Sequence, residues 1–161
     1  MKLSVYDIIN DPLPKLNELQ IINAEIKSFE TDNGIVEVFN KEIKMDKLSS
    51  EHIYSLSLTY GLIPRGIIQV GVGKCDSCEA NLRDLAIGLL LTGAEQFMCF
   101  HNHPGGTREI SEADIELTRR YRELGKILDI QFLKHIMITQ GYYTECEDTR
   151  TEIIFGKEVI V

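Results

Sequence analysis

The chain has 161 residues, of which 43% are hydrophobic and 26% charged, and its net charge is −8. These values are typical of a single ordinary globular domain. The acidic balance argues against binding to nucleic-acid backbones, because neutralising phosphates takes clustered Lys and Arg and the sequence holds no basic run. No apolar stretch approaches the roughly 20 residues of a membrane-spanning helix, and the N-terminus lacks a signal-peptide pattern. We therefore expect a cytoplasmic protein without a membrane contact.

The first segment, residues 1–30, shows no clear helical or strand pattern. Pro12 and Pro14 break any early helix in it. We predict a poorly defined N-terminal arm.

Two interpretations compete for the segment that follows. The segments 26–29 (IKSF) and 35–39 (IVEVF) flank Asp32-Asn33-Gly34, which is a strong short-range signal for a β-hairpin. Alternatively, a cap at residues 31–33 begins a helix that continues through Lys44. The residues by themselves favour the hairpin.

The next residues predict two strands. Residues 51–59 alternate between polar and apolar side chains, which indicates a strand with one strongly buried face. A turn at residues 61–64 leads to a second strand at residues 66–72. His52 points away from Glu51 along the first strand, and we expect a structural role for it.

A helix near residues 78–92 and a buried strand come next. The helix is capped by Asp76, Ser77 or Glu79 and ends at Gly93. One set of its residues recurs at helical spacing and should face the sheet: Leu82, Leu85, Ala86, Leu89 and Leu90. The apolar run Gln96–Phe100 then predicts a central strand buried on both faces.

The four cysteines do not form a structural zinc-finger pattern. Cys75 and Cys78 make a C-x-x-C pair, but no second pair follows at zinc-finger spacing. In a cytosolic chain of this size we expect Cys99 and Cys146, like the first two, to be free thiols.

Residues 97–114 carry the strongest chemical signal. Side chains i and i+2 of a strand point to one face, so His101 and His103 can present two imidazoles at the end of the buried strand. A Pro-Gly-Gly turn and a short loop can bring Asp114 back as a third ligand. Three protein ligands with one open position are typical of a catalytic zinc site.

Asp114 has a second possible use. Ser111 and Asp114 fit a capping box, in which the Asp114 carboxylate only completes the start of a helix. The combination of the histidine pair, seven intervening residues and Ser-x-x-Asp favours the metal site.

The remaining residues predict a helix followed by strands. Leu117, Tyr121, Leu124 and Leu128 form the apolar side of a helix that begins near residue 112 and ends at about Gly125. Residues 130–139 and 142–144 predict two strands. The apolar residues of 151–161 predict a C-terminal β tail.

The motif H-x-H, seven residues, S-x-x-D resembles that of the JAMM (MPN+) metalloproteases. The local sequences HNHPGG and S-x-x-D-I-x-L-T are similar to the RadC-like bacterial branch, and the resemblance covers roughly residues 34–147. It implies an α/β fold of the JAMM/MPN (cytidine-deaminase-like) type over residues 31–150. A central mixed sheet would be flanked by helices near 34–44, 78–92 and 112–124, so the resemblance favours the helix over the hairpin.

The resemblance also implies an activity. Zn²⁺ would bind His101, His103 and Asp114, and Glu51 would act as the general base toward the attacking water. Ser111 would hydrogen-bond that water or the oxyanion that forms. The reaction would be hydrolysis of a peptide or isopeptide bond, with a protein or peptide substrate.

Some positions depart from the family pattern. Lys134 stands in place of the aspartate of a D-H-I motif, and we expect its neighbour His135 to be structural or to support a metal ligand. Gly105 and Ile110 replace a serine and a proline in the loop. The alternative function is a non-catalytic JAMM-like module that binds a protein partner in a DNA-repair or mobile-element setting, without direct DNA binding.

Overall fold

A computed structural model describes residues 1–73 and 80–147. Its strands are β1 (Lys2–Asn10), β2 (Pro14–Asn23), β3 (His52–Leu58), β4 (Pro64–Val72), β5 (Gln96–Asn102), β6 (Gln131–Thr139) and β7 (Tyr142–Glu145). Its α-helices are α1 (Asp32–Val38), α2 (Leu82–Leu91) and α3 (Glu112–Leu128), and short 3-10 helices lie at Ile26–Phe29 and Met45–Lys47. The strands of the described part form one mixed sheet in the order β2-β1-β4-β3-β5-β6-β7. The predicted α/β class is confirmed.

Strand β5 is central, as predicted, and all seven of its residues are buried. Its side chains alternate between two cores. Met98 and Phe100 pack on the face covered by α1, whereas Phe97 and Cys99 pack on the face covered by α2 and α3. By the two-residue period of a strand, His101 continues the second series and therefore faces α3.

Strand β3 is buried on both faces, so the prediction of one buried face was incomplete. It lies between β4 and β5, and Ser55 and Ser57 are fully buried. Their hydroxyls are satisfied inside the core: Ser55 donates to the Met98 carbonyl at 3.1 Å, and Ser57 bonds the Thr92 hydroxyl at 2.7 Å. Small polar residues with such partners can occupy a core face, which alternation alone does not reveal.

Residues 1–30 are not a poorly defined arm, and that prediction was wrong. Strands β1 and β2 pair antiparallel, and β1 joins the sheet by pairing parallel with β4 at Val5. Pro12 lies in the turn and Pro14 is the first residue of β2, where proline removes no required ladder hydrogen bond. The prolines exclude a helix but allow a hairpin. The division into an arm and a domain stays a prediction.

The segment after Thr31 is a helix, as the resemblance implied, and not a hairpin. The Gly34 amide donates to the Thr31 hydroxyl at 3.1 Å, which caps the start of α1. A π-helical turn (Phe39–Ile43) continues it, and Lys44 ends it in the left-handed region at φ 62°. Burial of the helix against the β3 and β5 core overrides the local hairpin signal.

Helix α2 starts later than predicted and buries a narrower stripe. Its N-cap is Asn81, whose side chain accepts the Asp84 amide at 3.1 Å. Leu85 and Leu89 are fully buried, but Leu90 is 59% exposed. The apolar pattern therefore extends beyond the face that meets the sheet.

Helix α3 runs past Gly125, so the predicted end at that glycine was wrong. A Cβ on Gly125 would lie 2.6 Å from the Ile130 carbonyl oxygen, and the Ile130 amide donates to the Gly125 carbonyl at 2.9 Å. The glycine lets the returning chain approach the helix closely. The left-handed residue that ends α3 is Asp129, at φ 55°.

Several predictions fall outside the described residues. They are the Cys75–Cys78 pair, the caps proposed at Asp76, Ser77 and Glu79, and the β tail at 151–161. Within the described part, Cys99 and Cys146 are free buried thiols, as expected. Among the described helices, none is long and apolar enough to cross a membrane.

Candidate metal centre

The end of β5 places two imidazoles side by side. His101 is the penultimate residue of the strand and is 2% exposed. His103 follows the strand, and its amide still donates to the Ile138 carbonyl of β6 at 2.9 Å. The two Nε2 atoms lie 3.1 Å apart. The rule that side chains i and i+2 of a strand share one face therefore predicted that the two rings lie side by side.

Asp114 serves the helix and the histidines at the same time. Its Oδ2 accepts the Ser111 amide at 2.8 Å and the Ser111 hydroxyl at 2.6 Å, while its own amide donates to that hydroxyl at 3.2 Å. Its Oδ1 lies 3.2 Å from His101 Nε2. The two uses left open by the sequence are thus compatible, because Oδ2 makes the capping contacts whereas Oδ1 faces His101.

The spacing of these donor atoms suits a tetrahedral metal ion. His101 Nε2 is 3.1 Å from His103 Nε2 and 3.2 Å from Asp114 Oδ1, and His103 Nε2 is 3.7 Å from Asp114 Oδ2. Ligands at zinc bond lengths of about 2.0–2.1 Å around a tetrahedron are separated by about 3.3 Å. The distances from His101 Nε2 to His103 Nε2 and to Asp114 Oδ1 are close to this separation, so His101, His103 and Asp114 could hold such an ion.

Glu51 lies at the same end of the sheet as the two histidines, next to His103. Ile53 of β3 pairs with His101 of β5 in antiparallel register, so two residues earlier Glu51 comes opposite His103. Its Oε1 is 3.9 Å from His103 Nε2, and ligand atoms of Glu51, His101 and His103 lie within 4.8 Å of one another. The carboxylate is close to the imidazoles but further away than that of Asp114.

Asn102, which sequence reasoning passed over, fastens the segment that carries Glu51. Its side chain accepts the His52 amide at 2.8 Å and donates to the Ser50 carbonyl at 3.1 Å. The amide therefore holds the residues on both sides of Glu51. Only its place between the two histidines hinted at this, because the contact spans 50 residues of sequence.

A surface cleft opens on this cluster. It has a volume of about 390 Å³. It is lined by Glu51, His103, Pro104, Gly105, Thr107, Glu109, Ile110 and Ser111. The two loop positions that depart from the family pattern, Gly105 and Ile110, thus form part of its wall.

Behind the cluster, His101 contacts a second buried histidine. His101 Nδ1 is 2.8 Å from His135 Nε2, and His135 Nδ1 is 2.7 Å from the Thr118 hydroxyl. His135 is 1% exposed. His135 is therefore in contact with His101, and its support of a metal ligand stays a prediction. Thr118 was missed, although its place one turn after Asp114 on α3 put it on the same side of the helix.

The histidine outside the cluster has a local role. His52 Nδ1 lies 3.0 Å from the Ser50 carbonyl oxygen, and its ring stacks on Tyr54. These contacts agree with the structural role expected for His52.

The surroundings of the cluster favour a charged Asp114 carboxylate and a neutral His135 imidazole. Burial raises the pKa of Asp114, but the close contacts of its carboxylate with His101 and His103 outweigh burial and hold that pKa below its usual range. The contact with the Asp114 carboxylate raises the pKa of His103. Burial lowers the pKa of His135 well below its usual value. Burial raises the pKa of the neighbouring Cys146 thiol, which stays protonated.

Comparison with known proteins gives a consistent result. The family model described as the RadC-like JAB domain matches residues 29–150. A UPF0758 protein of Clostridium acetobutylicum is 30% identical over 125 residues, covering 76% of this chain and 55% of that protein. Relatives in Moorella thermoacetica (33% over 105 residues; 65% and 46%) and Bacillus licheniformis (39% over 69 residues; 43% and 31%) bear the same UPF0758 name. The chain spans about half the length of the first relatives it matches.

Proposed function

The chain belongs to the RadC-like JAB-domain family, and from that premise we propose that it is a zinc-dependent hydrolase of peptide or isopeptide bonds. The relatives' UPF0758 names state no activity. The proposal therefore depends on the chemistry of the residues at the end of β5.

The observation that carries the proposal is the close approach of three groups that can donate lone pairs to a metal, His101, His103 and Asp114. His103 Nδ1 lies 3.1 Å from the Thr107 carbonyl oxygen. A carbonyl only accepts, so Nδ1 must carry the proton and a neutral His103 has a bare Nε2 lone pair. Within 3.7 Å of this lone pair lie the imidazole of His101 and the carboxylate of Asp114. A cation is the natural complement to such a set.

Each residue would have a separate task. Zinc bound there would lower the pKa of a water toward about 7 and polarise a substrate carbonyl. Glu51, held by Asn102 beside His103, would take the proton of the attacking water and pass it to the leaving amine. Ser111 donates its hydroxyl proton to Asp114, so a hydrogen bond from Ser111 to the oxyanion would require this proton to turn toward the cleft.

The cleft suggests a polypeptide substrate. It is open to the surface and mixes carboxylates with apolar groups such as Pro104 and Ile110. With Glu51 and Glu109 in its wall and a net charge of −8 on the chain, an extended peptide is a better fit than a nucleic acid.

The test compares Glu51→Gln with the wild type. Zinc content would be measured by elemental analysis, and hydrolysis would be measured on a library of quenched fluorescent peptides that includes lysine ε-amide linkages. We expect Glu51→Gln to retain one equivalent of zinc, because no ligand is lost, and to lose about 100-fold or more in rate, the usual contribution of a general base.

His103→Ala is the matched control, since it should lose the zinc and the activity together. A wild type with no bound zinc, or a Glu51→Gln variant as active as the wild type, would contradict the proposed mechanism. Zinc binding without hydrolysis of any library member would favour the alternative, a non-catalytic module that binds a protein partner.

A further inference from the structure

Thr118 is a residue of the RadC-like motif that the proposed mechanism does not use. It lies on α3 one turn after Asp114 and is 2% exposed. Its hydroxyl touches two groups: the Asp114 carbonyl oxygen at 2.7 Å and His135 Nδ1 at 2.7 Å. A hydroxyl has a single proton, so the two contacts cannot both be donations from Thr118.

The Asp114 carbonyl decides the direction of this chain of hydrogen bonds. A carbonyl oxygen has no proton to give, so the Thr118 hydroxyl must donate to it. The hydroxyl oxygen then accepts from His135, which must carry its proton on Nδ1. A neutral imidazole has one N–H, so His135 Nε2 is left as an acceptor.

The tautomer of His135 in turn determines the tautomer of His101, the proposed metal ligand. His135 Nε2 lies 2.8 Å from His101 Nδ1, and as an acceptor it requires the N–H of His101 at that atom. A neutral His101 consequently has its lone pair on Nε2, the atom that faces His103 and Asp114. If Thr118 donated to His135 instead, His101 would carry its proton on Nε2. The Thr118 hydroxyl oxygen and the Asp114 carbonyl oxygen would then lie 2.7 Å apart without a proton between them.

We propose that Thr118 is a positioning residue, which acts through His135 to fix the proton of His101 on Nδ1 and to present Nε2 to a metal ion. The role rests on the proposed metal site and deepens it. Residues that hold metal-ligating histidines in one tautomer commonly contribute about 10–100-fold to metal affinity.

A rival arrangement of the same atoms is a buried metal site. Ligand atoms of His101, His135 and Cys146 also lie within 4.8 Å of one another. In that site a ring nitrogen of His135 would bind the metal instead of making its present hydrogen bond. The buried metal site therefore depends on the Cys146 thiol, whereas the role proposed for Thr118 does not.

The experiment uses the full chain with Thr118→Val, which keeps the shape and loses the hydroxyl, and Thr118→Ser, which keeps the hydroxyl. The tautomers of His101 and His135 would be read from long-range ¹H–¹⁵N spectra of the metal-free and zinc-loaded protein. Zinc affinity would be measured by competition with a chromogenic chelator.

We expect His135 of the wild type and of Thr118→Ser to be the Nδ1–H tautomer, and Thr118→Val to give a mixture. Zinc binding should weaken by about 10–100-fold in Thr118→Val and be close to that of the wild type in Thr118→Ser. Wild-type His135 in the Nε2–H form would overturn the proposal without any variant, so a poorly folded Thr118→Val does not leave it undecided.

Two further results would also overturn it. One is an unchanged tautomer and zinc affinity in a folded Thr118→Val. The other is loss of zinc from Cys146→Ala, which would support the buried thiolate site. The tautomers of the metal-free protein are read without any hydrolysis, so failure of the proposed enzyme activity is distinguishable from failure of this role.

Discussion

The two histidines of the candidate centre are held in different ways. His101 lies within β5, is 2% exposed, and is connected through His135 to the buried hydroxyl of Thr118. The His103 ring is held from the exposed loop, by the Thr107 carbonyl. The loop itself is attached at Arg108, whose guanidinium lies 4.8 Å from the centre of the Tyr142 ring.

The difference separates a rigid half of the site from an adaptable half. On the buried side, each hydrogen bond between Thr118, His135 and His101 determines the donor and acceptor of the next one. Removing one of these side chains leaves its neighbour with a buried polar atom that water cannot reach. On the loop side, solvent can satisfy exposed groups. We infer that the buried half would determine where the proposed metal binds, whereas the loop half could adjust to the proposed substrate in the cleft.

The largest effects are expected from His101→Ala and His103→Ala. Both should lose stoichiometric zinc, because each removes a ligand of the proposed metal site. In the metal-free state, His101→Ala should also lower the free energy of unfolding by about 1–3 kcal/mol, since His135 Nε2 is left buried without its partner. His103→Ala should cost less, about 0.5–1 kcal/mol, because the Thr107 carbonyl that its Nδ1 contacts lies in an exposed loop where water can replace the imidazole.

Urea unfolding in the presence of a chelator, together with elemental analysis, checks this pair. Equal destabilisation by the two substitutions would show that the halves do not differ in rigidity.

Gly125→Ala, beneath the buried half, is expected to affect stability alone, because it removes no proposed ligand. The new Cβ would lie 2.6 Å from the Ile130 carbonyl oxygen, and backbone there cannot move without displacing α3. Overpacking of this kind costs about 1–3 kcal/mol. The matched control is Ile127→Ala on the same helix, where the side chain is 80% exposed and a change within about 0.5 kcal/mol is expected.

Thermal and urea unfolding measure both variants. A neutral Gly125→Ala would mean that α3 can shift away from the strand, contrary to a rigid support for Asp114.

The smallest effects are expected in the loop, where two adjacent glycines differ. Gly106 has φ +79°, and Gly106→Ala should cost about 1–2 kcal/mol for a left-handed side chain. Gly105 has no such φ and no atom within 4 Å of an added Cβ. Gly105→Ala should therefore stabilise by about 0.4–1 kcal/mol, through the unfolded state.

Denaturant midpoints of the two variants show whether the two substitutions change stability in opposite directions. Destabilisation by Gly105→Ala similar to that by Gly106→Ala would show that the loop is more constrained than its exposure indicates, and would weaken the contrast between the halves.

Local patterns predicted the elements whose sequence and environment agree. The apolar run of β5 was recognised as a central strand, and the i, i+2 rule placed His101 and His103 together. The same reasoning failed for residues 1–30, because two prolines marked the turn of a hairpin whose burial comes from pairing with β4, some 60 residues later. It also preferred a hairpin over α1, because the packing of that helix on the sheet is not visible locally.

The sequence by itself determined the chemistry: two imidazoles at one strand end, a Ser-x-x-Asp helix start, and a motif that marks the RadC-like JAB family. Periodicity and capping are short-range properties, so a linear pattern contains them. Only the tertiary structure decided which distant groups meet. The antiparallel register of β3 and β5 brings Glu51 to His103, and the packing of α3 against β6 brings Thr118 to His135. Such contacts depend on how several elements share one core, which is not encoded in any single segment.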